Sequence, residues 1–229
     1  MSRLAIACVV TVILGSAGAC LVDFQPPPLR VCAPSRAGAV NRAAAIATLR
    51  HVAAAQSQCQ ASGVIDANGN GHGEYGFFGE LSGRTIIRGS NLSITPPVLS
   101  AAFGNVATSV VSRCGYLFQI FLPSKAADGV VEDEAGGDVD HDNGVDPGRA
   151  EELWCCYAWP AFYGKSGHDA FWINQSGKVL VSCNTVTKYS GASRPPTSMA
   201  AFLPAHANIG GAIAADKIGS DGESWLVMN

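Results

Sequence analysis

The sequence predicts an α+β fold, and three observations carry that prediction. One alanine-rich stretch has helical periodicity, and short apolar or alternating runs follow it to the C-terminus. Turn-forming residues separate the runs, with 26 Gly and 12 Pro in 229 residues. A single long helix followed by a meander of antiparallel strands is the α+β pattern. The glycine and proline content favours turns, short strands and long loops over a helical bundle. The length is ample for a full hydrophobic core. It divides into an export segment at 1–19, a proline-rich tether at 20–36 and one loop-rich domain at 37–229.

The front of the chain points out of the cytoplasm. Arg3 supplies a positive start, Leu4 to Leu14 form an apolar run, and Ala17-Gly18-Ala19 reads as a small-residue cleavage site. The apolar run is short for a membrane-spanning helix. Cys20 directly after the cleavage site opens a second reading, acylation as a lipoprotein, although Ala17 stands where such signals usually carry Leu. A retained membrane anchor is the third. Each places the domain in an extracytoplasmic setting: secreted, periplasmic or lipid-anchored to the cell envelope. Contact with a membrane is expected only through a lipid anchor or a retained N-terminal segment. The net charge of −3 leaves no basic footprint, which argues against nucleic acid as a partner.

Pro26-Pro27-Pro28 and Pro34 keep the next stretch extended. Ser35 is a natural helix N-cap. From Ala37 to Gln60 the sequence predicts a helix. Ile46, Leu49, Ala53, Gln56 and Gln60 share a stripe, Arg50, His51 and Ser57 lie off it, and Gly63 ends it. A glycine-dense loop runs from Asp66 to Gly76. Strand-like runs follow at Arg84–Arg88 and at Ser109–Leu122, the latter broken by Cys114-Gly115. Residues 126–150 are acidic and glycine-rich with almost no large apolar side chains, and read as a surface loop. Trp154–Trp159, Ala170–Asn174 and Lys178–Asn184 are strand-like, the last two joined as a hairpin through Gln175-Ser176-Gly177. After an irregular tail, Ser224–Val227 reads as a final strand.

Two loops have the spacing of cation ligands. Asp66, Asn68, Asn70, His72 and Glu74 alternate oxygen-bearing or polar side chains around Gly71, a pattern that wraps a hard cation such as Ca²⁺. Only Asp66 and Glu74 bring charge, and the bidentate Glu at the twelfth position is missing. Asp138, Asp140, Asp142 and Asp146 alternate similarly around Gly144, and their carboxylates would repel one another without a cation. Both stretches also read as solvated polar turns, so calcium is an expectation and no other cofactor is implied.

Of the eight cysteines, Cys8 belongs to the export segment and Cys20 is the lipidation candidate. In an oxidising compartment Cys59, Cys114, Cys155, Cys156 and Cys183 are disulfide candidates, together with Cys32. Adjacent Cys155 and Cys156 point to opposite faces of a strand, and Cys183 is the preferred partner for one of them. Cys155 or Cys156 with His168 and Asp169 also offers the residue types of a thiol nucleophile and its base. No G-x-S-x-G, H-E-x-x-H or phosphate loop is present, and the reading is non-enzymatic. His51 and His206 are isolated. The aromatics Trp154, Trp159, Trp172, Trp225, Phe162, Tyr163 and Phe171 read either as sheet core or as an exposed surface that stacks on sugars.

The run from Asn41 to Arg50, then Ala55-Gln56, then Gly73-Glu74-Tyr75-Gly76 closing a polar loop, resembles pilin-like and type II secretion pseudopilin-like proteins. Gly115-Tyr116-Leu117-Phe118 and Phe171 to Gly177 are similar to the sheet strands of that group. The resemblance spans residues 37–184. It implies a helix laid across an antiparallel sheet, a non-enzymatic structural or interaction role, and a structural calcium in the loop. It also implies partners among envelope or secretion-system proteins, or self. Prolines 26–28 interrupt what would be an unbroken apolar helix in a true pilin, so a soluble or lipid-anchored relative of the head is the nearer match. A secreted calcium-dependent glycan- or ligand-binding module is the alternative, and a cysteine hydrolase the third.

Overall fold

The computed structural model describes residues 36–138, 143–206 and 208–228. The export segment, Cys8, Cys20, Cys32, the tether prolines, Ser35, Asp140 and Asp142 lie outside the described residues. The chain forms a helix and a large antiparallel sheet, with the sheet dominant.

Helix α1 spans Arg36–Ser62, 27 residues rich in alanine, the strongest intrinsic helix former. It stops where Gly63 takes a φ of +64° and donates its N–H to the Gln60 carbonyl, a left-handed terminus that glycine adopts without strain. The buried face is Ala45, Leu49, Val52, Ala55, Gln56 and Cys59. The predicted stripe was rotated from this: Ile46 and Ala53 are only partly buried, at the flank of the contact. Small Ala45 and Ala55 on the centre line let the helix sit close over the sheet, which pushes the bulkier Ile46 aside.

The short helix α2 (Phe78–Leu81) and a 3₁₀ turn at Ala101–Gly104 precede the sheet. The strands are β1 (Val106–Ala107), β2 (Val110–Arg113), β3 (Tyr116–Pro123), β4 (Gly129–Val130), β5 (Cys155–Pro160), β6 (Ala170–Asn174), β7 (Leu180–Ser182), β8 (Lys217–Ile218) and β9 (Ser224–Val227), with helix α3 (Pro147–Ala150) between β4 and β5. Their order is β1-β2-β3-β5-β6-β7-β9-β8, with β4 on the end of β3. The break at Cys114-Gly115, the β6 boundaries and the β6–β7 hairpin lie where the sequence places them.

Alternation along the strands sorts the core into two layers. Phe118, Ile120, Leu122, Cys156, Ala158, Phe171 and Ile173 face α1. Leu117, Phe121, Cys155, Tyr157, Trp159, Ala170 and Trp172 face the other way, where Tyr189, Ala200, Ala201, Phe202, Ile209 and Ala214 of the irregular tail cover them. Burial on both faces is why these strands read as continuous apolar runs. Trp154, Trp159, Trp172 and Trp225 are all buried, as the sheet-core reading expects, while Phe162 stands exposed.

Three further expectations change. Arg84–Arg88 is irregular rather than a strand, because Ile87 drops into the core and Arg88 turns to buried carboxylates. The stretch 126–150 is not wholly a surface loop: Glu132 and Asp138 are buried. The pairing of Cys183 with Cys155 or Cys156 does not form. Cys155 stands opposite Asn174, whereas Cys183 follows Ser182, which stands opposite Ala170. Cys183 is therefore at the far end of the sheet and two strands across from Cys155, about 16 Å along and about 10 Å sideways, beyond the roughly 7 Å that a disulfide can bridge between Cα atoms. Cys59, Cys114, Cys155 and Cys156 are free thiols.

Candidate functional site

Described residues of the two loops come near one another by the C-terminal half of α1: Ala67, Asp138 and Pro147 line one cavity, and Asn68 and Asn70 reach Glu151. Three segments converge there: the loop from Gly63 to Phe77, α2 with its continuation to Gly89, and the acidic stretch around Glu132 to Asp146. Gln56 of α1 starts the assembly. Its side-chain Nε2 donates to the Gly76 carbonyl at 2.8 Å, and its Oε1 accepts from the Gly76 N–H at 2.9 Å. This buried amide pairs with backbone as another strand would, which ties the returning loop to the helix.

The loop then closes on itself. Asp66 accepts from the N–H of Asn70 at 3.1 Å through Oδ1 and from that of Gly71 at 2.9 Å through Oδ2. Asn68 Oδ1 accepts from Asn70 N–H, and Asn70 Oδ1 from His72 N–H. The side-chain amides of Asn68 and Asn70 both donate to Glu151 Oε1, at 3.0 and 2.7 Å. Glu74 points inward, its Oε1 accepting from Ala67 N–H at 2.6 Å and its Oε2 pairing with Arg88 at 3.3 Å. Side-chain oxygens of this loop thus accept from its own amides, while Glu74 is buried and pairs with the Arg88 guanidinium. In the second set, Asp146 caps α3 by accepting from Arg149 N–H at 3.0 Å, with Pro147 in the first turn. Asp138 is buried and accepts from Asn143 N–H. Among the described residues, no group of three or more His, Cys, Asp or Glu gathers around a common point for a metal.

What the segments build instead is a buried ionic knot. Arg88 donates to Glu80 Oε2 at 3.0 Å, to Glu74 Oε2 at 3.3 Å and to the Tyr75 carbonyl at 2.6 Å, and lies over the Phe77 ring. Glu80 also accepts from the backbone N–H of Phe77 and of Arg88. Burial pushes the Glu74 carboxyl above its ordinary range, and Arg88 opposes that push. Next to the knot, Glu132 accepts from Gly79 N–H at 3.0 Å and Gly137 N–H at 2.9 Å through Oε2, while Oε1 has no hydrogen-bond partner among the described residues. Burial raises its pKa to about 8. A cavity of about 210 Å³ lined by Ala67, Arg88, Gly89, Asp138, Val145 and Pro147 lies between the loops, smaller than the roughly 300–1,000 Å³ of typical small-molecule sites.

The thiol constellation is dispersed. Cys155 and Cys156 are buried on opposite faces of β5, and burial raises both pKa values, the opposite of an activated nucleophile. Asp169 is held by Arg42 at 2.6 Å at the other end of the sheet. His168 stacks edge-on against Tyr163. No family model, curated protein or solved structure matches the chain.

Sequence reasoning located Glu74 and missed Glu80, Arg88 and Glu132. A signal was present: Glu80 sits in Phe77-Phe78-Gly79-Glu80-Leu81 and Glu132 follows Val130-Val131. A lone carboxylate inside an apolar run is one that the fold must bury and satisfy.

Proposed function

We propose that the chain is a non-enzymatic, extracytoplasmic structural or interaction protein with a pilin-like head, in which one long N-terminal helix is laid across the sheet. The observation that supports this reading is the way α1 is fixed. Helix α1 packs on β5 and β6, with Leu49, Val52 and Cys59 in the core shared with those strands, Arg42 is paired with Asp169 beside β6, and Gln56 binds the loop that follows the helix. The polar residues gathered below the helix hold backbone amides and one another, as in a scaffold. Partners in this reading are envelope or secretion-system proteins, or further copies of the chain. Calcium enters as an accessory stabiliser. The loop at 66–76 is closed by its own amides, so the cation's contribution falls on Asp138, Asp140, Asp142 and Asp146 and is measured as a thermal shift on adding millimolar Ca²⁺.

The test is fractionation of cells expressing the full chain, with an intact mass of the mature protein and photo-crosslinking from Ala54 on the exposed side of α1. The expected result is an envelope or secreted protein, cut after Ala19 or acylated on Cys20, that crosslinks to itself or to one envelope component. A full-length cytoplasmic protein overturns the compartment, and a chain that crosslinks to nothing overturns the interaction role.

A further inference from the structure

The end of the sheet opposite the ionic knot is built from four pieces. The start of α1 is tied down by Asn41, whose Nδ2 donates to the Ser166 carbonyl at 2.8 Å. The β2–β3 turn at Cys114-Gly115 receives the Ala161 N–H on the Gly115 carbonyl. The β5–β6 loop carries Phe162 to His168, and the segment after β7 joins it through Asn184 Nδ2 to the His168 carbonyl, Tyr163 N–H to Ser190 Oγ and Gly191 N–H to the Pro160 carbonyl.

Charge at this end is sorted by depth. The carboxylates face inward and are engaged. Asp169 is paired with Arg42. Asp221 accepts from the Tyr189 hydroxyl at 2.6 Å and the Trp225 indole at 3.2 Å. Glu223 accepts from the backbone N–H groups of Thr185, Val186 and Thr187 and from the Ser182 hydroxyl. The exposed charges are cations: Lys165, Lys188 and Arg194, none of them in an ion pair among the described residues. Between them large apolar side chains stand in solvent: Phe162 is 66% exposed, Val186 66% and Val40 69%. The opposite end mixes both signs in solvent, Asp128, Glu134 and Glu152 beside Lys125, Arg149 and Lys178, whereas the carboxylates at this end are turned inward.

We propose that this basic, apolar-tipped end docks on the surface of an anionic phospholipid bilayer. Cations near such a surface are each drawn to it, and a ring such as Phe162 sits well at the boundary of headgroups and acyl chains. The described part of α1 begins on this same end, so the stretch 20–35 that stays on the mature chain, with any acyl group on Cys20, joins the molecule at the face that carries these groups. The proposal rests on the extracytoplasmic reading for its choice of a bilayer.

The experiment measures lysine acetylation by mass spectrometry on the full chain, free, with phosphatidylcholine vesicles and with vesicles that also contain phosphatidylglycerol. The expected result is that Lys165 and Lys188 lose reactivity about tenfold on the anionic vesicles alone and regain it in high salt. Lys125 and Lys178, exposed at the opposite end, keep theirs. Phe162→Ser with Arg194→Glu removes the protection while the urea midpoint stays in place. Equal protection of all four lysines, protection without vesicles (a second copy as the occupant), or no protection at all overturns the proposal. A cytoplasmic result in fractionation sinks the compartment reading and leaves the vesicle footprint standing, whereas a missing footprint sinks this proposal alone.

Discussion

Replacing Glu132 by Gln changes the pH dependence of stability, and the structure sets the size of the change. Glu132 is 2% exposed and receives two backbone N–H groups on Oε2, with Oε1 buried and without a partner among the described residues. Burial, with Glu80 adding to it, holds the pKa at about 8 against an ordinary 4.5, so the folded chain keeps a proton that the unfolded chain releases. A carboxyl raised in this direction leaves stability intact at low pH and withdraws it as pH climbs from the unfolded value towards the folded one. At about 1.4 kcal/mol per pH unit, the loss between about pH 5 and about pH 8 is on the order of 3 to 4 kcal/mol. Gln keeps an oxygen for Gly79 and Gly137 and has no proton to lose. Urea unfolding of both proteins across that range is the assay. The wild-type curve falls relative to Glu132→Gln as pH rises, and taking the difference removes Glu74 and Asp221, which are also raised but titrate in both. Two parallel curves would refute the reasoning.

The other predictions concern the same scaffold. Gln56→Ala leaves the Gly76 N–H and carbonyl buried without their partner and lowers unfolding free energy by about 2 to 3 kcal/mol in urea titration. Arg88→Met strands the Glu74 and Glu80 carboxylates in the interior and costs about 3 to 5 kcal/mol; adding Glu74→Gln and Glu80→Gln recovers part of it, measured by the same titration. With a maleimide on the native full chain, Cys114 on its exposed turn labels quickly. Cys155 and Cys156 stay silent until denaturant is added, read by peptide mass spectrometry.

The elements with a strong local signature were legible in the sequence. Ala170–Asn174 was read to the residue, and the Cys114-Gly115 break and the Gly63 stop follow from residues that take positive φ. Which face of α1 is buried was not legible to better than one position. The choice between Ala45 and Ile46 is made by how closely the sheet approaches, a tertiary quantity. The tail from Tyr189 to Ala214 read as irregular, and it is, but no periodicity announces that Phe202 and Ile209 cover a sheet face. In the candidate site, spacing alone suggested that Asp66, Asn68, Asn70 and Glu74 share a cation. An Asn-Gly loop satisfies its own amides with the same alternation, and the spacing did not announce that Glu74 turns inward to Arg88, fourteen residues on.

The ends of the strand order have a consequence for assembly. The outermost strands, β1 and β8, are two residues each, and one of them carries Lys217. So little open ladder offers almost no template for a neighbouring chain to extend hydrogen bonding sideways. Copies of this domain that stack into a fibre must therefore meet through side-chain contacts on helix or loops, and mild conditions that spare the ladder should take such a fibre apart.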